Sequence, residues 1–289
     1  MKKAITSVLT IAIFISAFSG CSASKEENFD FSRPINMISR EDGSGTRGAF
    51  IELLGIEEKG EDGSKKDMTT KDAIIVNKTD IMLANVESDK YAIGYVSMGS
   101  LNENIKAVEI NGVTASSENV KNGTYTISRP FNIATKGEAT GLAKDFIDFI
   151  LSKEGQAVVM NGYIPINDNA NPYSGNRPSG KVVVSGSSSV TPIMEKLKEA
   201  YIAINPNATI EIQMSDSTAG MTGAIDGTCD IGMASRELKD SEKEELTSIE
   251  IALDGIAVIV NKENSIMSLT KEQIKSIYIG EIDSWSEVA

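Results

Sequence analysis

VVVSGSSSVTPIM, residues 182–194, is the stretch from which the rest of the chain can be read. Val182 to Val184 form an apolar strand, Gly186 and Ser187 to Ser189 a turn, and Pro192 sits where a helix favours proline in its first turn. Such a junction gathers hydroxyls beside the first N–H groups of the helix. Those groups have no acceptor within the helix, and the positive end of the helix dipole lies with them. The result is a ready anion site.

Three further segments repeat this chemistry. SREDGSGTRGAF (39–50) places Gly, Ser and Thr between strand and helix and adds Arg40 and Arg47, whose forks suit an oxyanion. SDSTAGM (215–221) is built alike, and DIGMASREL (230–238) offers Ser235 and Arg236 after a short strand. One such segment alone is an ordinary cap or turn. Four in one chain point to a shared oxyanion site.

Other chemistries are excluded or weak. There is no histidine, so Ser–His–Asp and Cys–His nucleophiles and His-ligated metals are out. The P-loop and dinucleotide spacings are missing, and DGSG and DGTCD lack the ladder of a calcium loop. No cofactor is expected. A net charge of −13 argues against nucleic acid as a partner.

The 289 residues suffice for two medium domains. Strands are expected at 35–39, 91–98, 106–110, in KVVVSG, in TIEIQMS and at 251–261. Helices are expected at 44–55, 140–152, from Thr191 and at 270–280. The alternation gives an α/β fold with largely parallel sheets. NDNANPYSGNRPSG (167–180) reads as a linker.

The N-terminus reads as a lipoprotein signal over residues 1–20. MKK precedes a short apolar run ending in FSGC, so cleavage falls before Cys21 and its sulfur is acylated, with 21–30 as a polar tether. Cleavage removes two lysines and no acid, taking the charge from −13 to −15. An ordinary secretory signal with a chance cysteine is the other reading. Cys229, among small and apolar residues, reads as a buried hydrophobe.

VVVSGSSSVTPIMEKL, STAGMTGAIDGTCDIGMASRELKDSE, IALDGIAVIVNKE, LTKEQIKSIYIGEIDSW, ISREDGSGTRGAF and AIGYVSMGSL, with YTISRPFNIATKG, together resemble the phosphate-binding lipoproteins of the high-affinity phosphate ABC importer. The resemblance implies a periplasmic-binding-protein fold. Each of its two lobes would be a mostly parallel sheet flanked by helices, with two crossing strands between them and phosphate held at the join. In that family the SGSSSVTP half comes first. Here the DGSGTR half precedes it, so the order looks circularly permuted, with the linker joining the family's original termini. Exchange of halves between two chains, or a rearranged tandem gene, is the rival. The lobes would comprise 127–259 and 31–126 with 260–289, and the crossings would be IALDGIAVIVN and YTISRPFNIAT.

By the same resemblance Ser188, Ser189 and Ser217 are phosphate donors, with Ser187 less central. Arg40, Ser44, Gly45 and Thr46 serve from the other lobe, and Asp42 holds Arg40. Ser235, followed by Arg236, stands where the family has an aspartate that takes the proton of bound phosphate. Asp254 is the candidate replacement and Asp216 the second. The implied partners are inorganic phosphate, the importer's permease subunits and, through Cys21, the cell membrane; the protein would be monomeric and extracytoplasmic. A receptor for sulfate, a serine-dependent phosphoester hydrolase and an adhesin or sensor that keeps the fold without binding are the alternatives.

Overall fold

The computed structural model describes residues 29–60 and 64–289. The signal segment, Cys21 and residues 22–28 of the tether lie outside the described residues. In chain order the strands are β1 (Asn36–Arg40), β2 (Glu57–Lys59), β3 (Lys65–Asp67), β4 (Ile74–Val76), β5 (Ala92–Ser97), β6 (Ile105–Ala107), β7 (Glu109–Ile110), β8 (Ser128–Thr135), β9 (Gly180–Ser187), β10 (Ala208–Ser215), β11 (Ile231–Ala234), β12 (Thr247–Asn261) and β13 (Ser268–Leu269). The α-helices are α1 (Gly45–Leu53), α2 (Thr79–Ser88), α3 (Ser117–Lys121), α4 (Gly141–Leu151), α5 (Lys153–Val159), α6 (Thr191–Ile204), α7 (Ser217–Asp226), α8 (Asp240–Lys243) and α9 (Lys271–Ile279).

Caps written in the sequence set several boundaries. Thr270 and Gln273 close a capping box on α9, and Gly280 ends that helix at φ +83°, a conformation that costs glycine little. Pro192 lies in the first turn of α6, whose Ile193, Met194, Leu197 and Tyr201 are buried along one face.

One long strand organises the sheet. β12 pairs antiparallel with β8 from Thr247 to Gly255, then with β5 and β6 from Ile256 to Asn261. On one side of that change lie the parallel strands β10, β9 and β11, on the other β5, β1 and β4. The expected strand at 251–261 thus begins earlier and serves both lobes. Two cores follow. One gathers Phe131, Phe146, Phe149, Val184, Leu197 and Tyr201, the other Phe50, Tyr95, Val258, Ile274, Tyr278 and Trp285. In the second, Phe50 stacks on Tyr95 at 3.9 Å and Tyr278 meets Phe50 edge-on at 4.9 Å. Cys229 is buried and unpaired.

Residues 167–179 form no strand or helix, but they are not a free linker. They make a strap docked on α4, α5 and α6. Glu154 accepts the Tyr173 N–H at 2.7 Å, and the Asn205 amide donates to the Pro178 carbonyl at 2.9 Å. Asp145, buried on α4, accepts the hydroxyls of Tyr173 (2.5 Å) and Tyr201 (2.6 Å) and the Asn176 N–H (2.8 Å). In the other core the start of the described chain meets its end. Ile35 N–H donates to the Asp283 carbonyl at 2.7 Å, and Phe29 packs edge-on against Trp285 at 5.8 Å.

Burial works to raise the pKa of Asp145. The Tyr173 and Tyr201 hydroxyls and the N–H groups of Asn176 and Arg177 outweigh it and hold the carboxyl below its ordinary 3.8. A depressed carboxyl stabilises the fold fully above its unfolded value and loses that effect as pH falls through its folded value. Asp145→Asn should therefore cost about 1.5–3 kcal/mol near neutrality, the usual worth of hydrogen bonds to a charged group. The gap between variant and wild type should narrow below pH ~3.8. Thermal melts of both proteins across that range check this, and a constant gap would contradict the role given to Asp145.

Candidate functional site

Parallel strands present their carboxyl ends at one edge, and in open α/β sheets that edge is where ligands bind. Five such ends meet here. β1 delivers Arg40 and, through α1, Thr46; β4 leads into Thr79 at the start of α2. β9 ends in Ser187 and continues to Ser188 and Ser189. β10 leads into Ser217, and β11 into Ser235. Close backbone approach brings the last three together. Gly186 has φ +135°, and a Cβ there would lie 2.3 Å from the Met233 carbonyl oxygen; one on Gly220 would lie 2.6 Å from the Gly186 Cα.

The outcome is a buried network of seven hydroxyls drawn from both lobes. Thr46 Oγ1 lies 2.8 Å from Ser189 Oγ and 3.4 Å from Ser235 Oγ. Ser187 donates to Ser235 at 2.9 Å, and Ser217 Oγ takes the Ser235 N–H at 3.1 Å. Thr79 Oγ1 lies 3.2 Å from Ser188 Oγ and 3.3 Å from Ser189 Oγ. A hydroxyl both donates and accepts, so the cluster can close on itself and can also turn its protons toward an anion.

Arg40, 2% exposed, supplies the charge. Its Nη2 donates to Ser188 Oγ at 3.1 Å across the lobes and its Nη1 to Thr79 at 3.4 Å. Tyr95, fixed in the aromatic stack, accepts the Arg40 N–H at 3.1 Å and bonds Ser39 at 2.8 Å. Ser44 caps α1 by accepting the Arg47 N–H, which leaves the N–H groups of Gly45 and Thr46 with no acceptor in the helix.

Several sequence-based assignments change. Glu41, not Asp42, grips Arg40, through Nε at 2.8 Å and Nη2 at 2.7 Å. Asp42 lies in the turn after β1, 96% exposed at its side chain, and pairs with Arg47. The Arg47 fork is committed to Asp67 and to the Arg40 carbonyl. Arg236 turns away from the hydroxyls onto Glu242, with Nη1 at 2.7 Å and Nη2 at 2.8 Å. Asp216 caps α7 by accepting the Ala219 N–H. Asp254 accepts from Ser97 at 2.9 Å and from Arg129 Nη2 at 3.1 Å, as well as from the N–H groups of Met98 and Gly99. Its pKa is pushed up to about 6 by complete burial, a rise that Arg129 and these donors limit.

Thr79 escaped the sequence reading. Its signal is AIIVNKTD (73–80), a short apolar strand turning into a helix through a threonine. The strand has three residues, Ile74 and Ile75 are exposed, and no side chain caps α2. Beside the cluster opens a cleft of about 950 Å³ lined by Ser44, Arg47, Arg129, Thr218, Arg236 and Lys239, among others.

The lobes meet at Gly45. A Cβ there would stand 2.4 Å from Ser217 Oγ and 2.8 Å from Ser235 Oγ, while the Thr218 N–H donates to the Gly43 carbonyl at 3.2 Å. Gly45→Ala should hold the lobes apart and speed amide exchange at Thr218 at least about tenfold, with the lobe cores unchanged. Unchanged exchange at Thr218 would contradict the tight approach.

A family model described as a PBP superfamily domain matches residues 23–154 and 171–289. The phosphate-binding protein PstS 2 of Streptococcus agalactiae is 52% identical to this chain over 278 residues, covering 95% of this chain and 94% of that one. The crystal structure of a phosphate ABC transporter phosphate-binding protein from Streptococcus pneumoniae TIGR4 is 45% identical, covers 89% of this chain and 100% of that one, and superposes with a TM-score of 0.70. The phosphate-binding protein PstS of Staphylococcus haemolyticus is similar over a shorter stretch, 41% identical across 117 residues, 38% of this chain and 37% of that one. With the family model spanning both lobes, and with relatives this close along nearly their whole length, the chain belongs to the PBP superfamily.

Proposed function

We propose that this protein captures inorganic phosphate between its lobes and hands it to the permease subunits of an ABC importer, without catalysis. One observation carries the reading: seven buried hydroxyls and one buried guanidinium converge from both lobes at the carboxyl ends of parallel strands. An anion entering there exchanges hydroxyl–hydroxyl bonds for hydroxyl–anion bonds. It also meets the positive charge of Arg40 and the helix N-termini beside Thr46 and Ser217. The binding set is Arg40, Ser44, Gly45, Thr46, Thr79, Ser188, Ser189, Ser217 and Ser235, with Ser187 orienting Ser235. Arg236 and Asp254 flank it. Contacts to both lobes make the anion the cement of closure. The names of the relatives support phosphate as the ligand.

The hydrolase alternative meets a specific obstacle. Ser188 has Arg40 and Thr79 as partners, and neither accepts its proton as a base would. Sulfate is the closer rival. Glu41, Asp42, Asp216 and Asp254 are engaged with Arg40, Arg47, the α7 N-terminus and Arg129. The acceptor for the phosphate proton then falls to a hydroxyl such as that of Ser235.

The permuted order and the lipid anchor belong to the same proposal. The strap over 167–179 joins the two halves, and the pairing of Ile35 with Asp283 keeps the new ends adjacent. The short match to the Staphylococcus haemolyticus protein, set against full-length matches to others, also supports a rearranged order. With the boundary moved from 259/260 to the place where β12 changes ladder partner, residues 127–255 and 29–126 with 256–289 would be the lobes, tethered at the cell membrane through acylated Cys21. The mature chain would run as a monomer.

Calorimetry of the delipidated protein with phosphate, then sulfate, tests the function. Phosphate should bind with micromolar or tighter affinity, and Arg40→Ala should weaken it by about 2–5 kcal/mol, the cost of leaving a buried charge unpaired. Absence of phosphate binding in the wild type would refute the reading, and sulfate binding more tightly than phosphate would move it to a sulfate receptor.

A further inference from the structure

We propose that Arg129 is a second anion-binding guanidinium, offering its Nε and Nη1 to the captured phosphate from the lobe opposite Arg40. The inference rests on the phosphate reading above. Arg129 is 3% exposed, and its Nη2 is used by Asp254 at 3.1 Å. Nε and Nη1 are buried and have no hydrogen-bond partner among the described residues. The guanidinium carbon lies 5.4 Å from the centre of the Phe131 ring, whose face attracts the charge but does not satisfy two N–H donors as an oxygen would. Buried charged donors left open are costly, and a fold retains them where something else fills them.

Two observations set Arg129 beside the interlobe site. Arg129 lines the same cleft as Ser44, the cap of the Gly45–Thr46 donor turn. It also feels Arg40 as a like charge. Burial, with Arg40 adding to it, lowers the Arg129 pKa to about 10, while Asp254 works the other way. Two buried guanidiniums, one on β8 and one on β1, suit a dianion held between the lobes. Each has a carboxylate counter-ion: Glu41 holds Arg40 through Nε and Nη2, and Asp254 holds Arg129 through Nη2 alone. Asp254 is then a positioning residue. Its partners on β5 and the following turn, Ser97 and the N–H groups of Met98 and Gly99, fix it from the other lobe at the place where β12 changes partners.

The test uses two variants of the full mature protein. Arg129→Lys keeps the charge and loses the fork. The double variant Arg129→Gln with Asp254→Asn keeps a neutral hydrogen-bonded pair, so no charge is stranded. Both are checked by thermal melts and titrated with inorganic phosphate. Each should bind at least about tenfold more weakly than wild type, and the wild-type Arg129 Nε–H NMR signal should shift with the same saturation curve as calorimetry. A folded variant of either kind that binds within about threefold of wild type, or an Nε–H signal unmoved at saturation, overturns the proposal. Failure of the wild type to bind phosphate would instead refute the function on which it rests.

Discussion

The buried guanidinium of Arg40 is the constraint around which this protein is arranged. A charge removed from water must be paired and hydrogen-bonded or it destabilises the fold by several kcal/mol. Glu41 supplies the pair, Tyr95 fixes the backbone on which the side chain stands, and the remaining donors turn to Ser188 and Thr79. Tyr95 is itself held between Phe50 and Tyr278, so the aromatic core of one lobe sets where the site's charge sits. Because Ser188 belongs to the other lobe, the same side chain reaches across the cleft.

Position in the sheet explains why hydroxyls gather there. β9, β10 and β11 run parallel on one side of β12, and β1 and β4 run parallel on the other. Each strand then ends at the cleft and each following helix begins there, so Ser and Thr chosen locally as helix starters become neighbours. β12 makes this possible by belonging to both lobes. It holds them in one frame and changes ladder partners between Gly255 and Ile256. The strap over residues 167–179 meets a separate requirement. It carries the chain from α5 to β9 and is fixed by the buried carboxylate of Asp145.

Much of this was legible in the residues. α1, α4, α6 and α9 follow their periodicity and caps, and the junctions at Arg40–Thr46, Ser187–Ser189, Ser217 and Ser235 stood out by composition. What escaped did so for physical reasons. Thr79 follows a three-residue strand at the sheet edge with two exposed isoleucines, too weak a pattern to mark a fifth junction. Asp42 and Glu41 are equivalent as letters, but Glu41 follows the last strand residue closely enough to reach Arg40, whereas Asp42 turns outward with the loop.

The sequence alone determined the alternation of strands and helices, the donor-rich turns at their junctions and the exclusion of histidine chemistry. These depend on residue type and near spacing, which act over one turn or one strand. Tertiary structure decided which donors share a space and which arginines face it. Arg47 and Arg236 line the cleft but are spent on Asp67 and Glu242, while Arg40 is buried against the hydroxyls and Arg129 against Asp254. For Arg47, Arg129 and Arg236 that sorting depends on carboxylates 6 to 125 residues away in the chain, and for Arg40 on its neighbour Glu41, and a guanidinium takes whichever carboxylate the fold brings within about 3 Å.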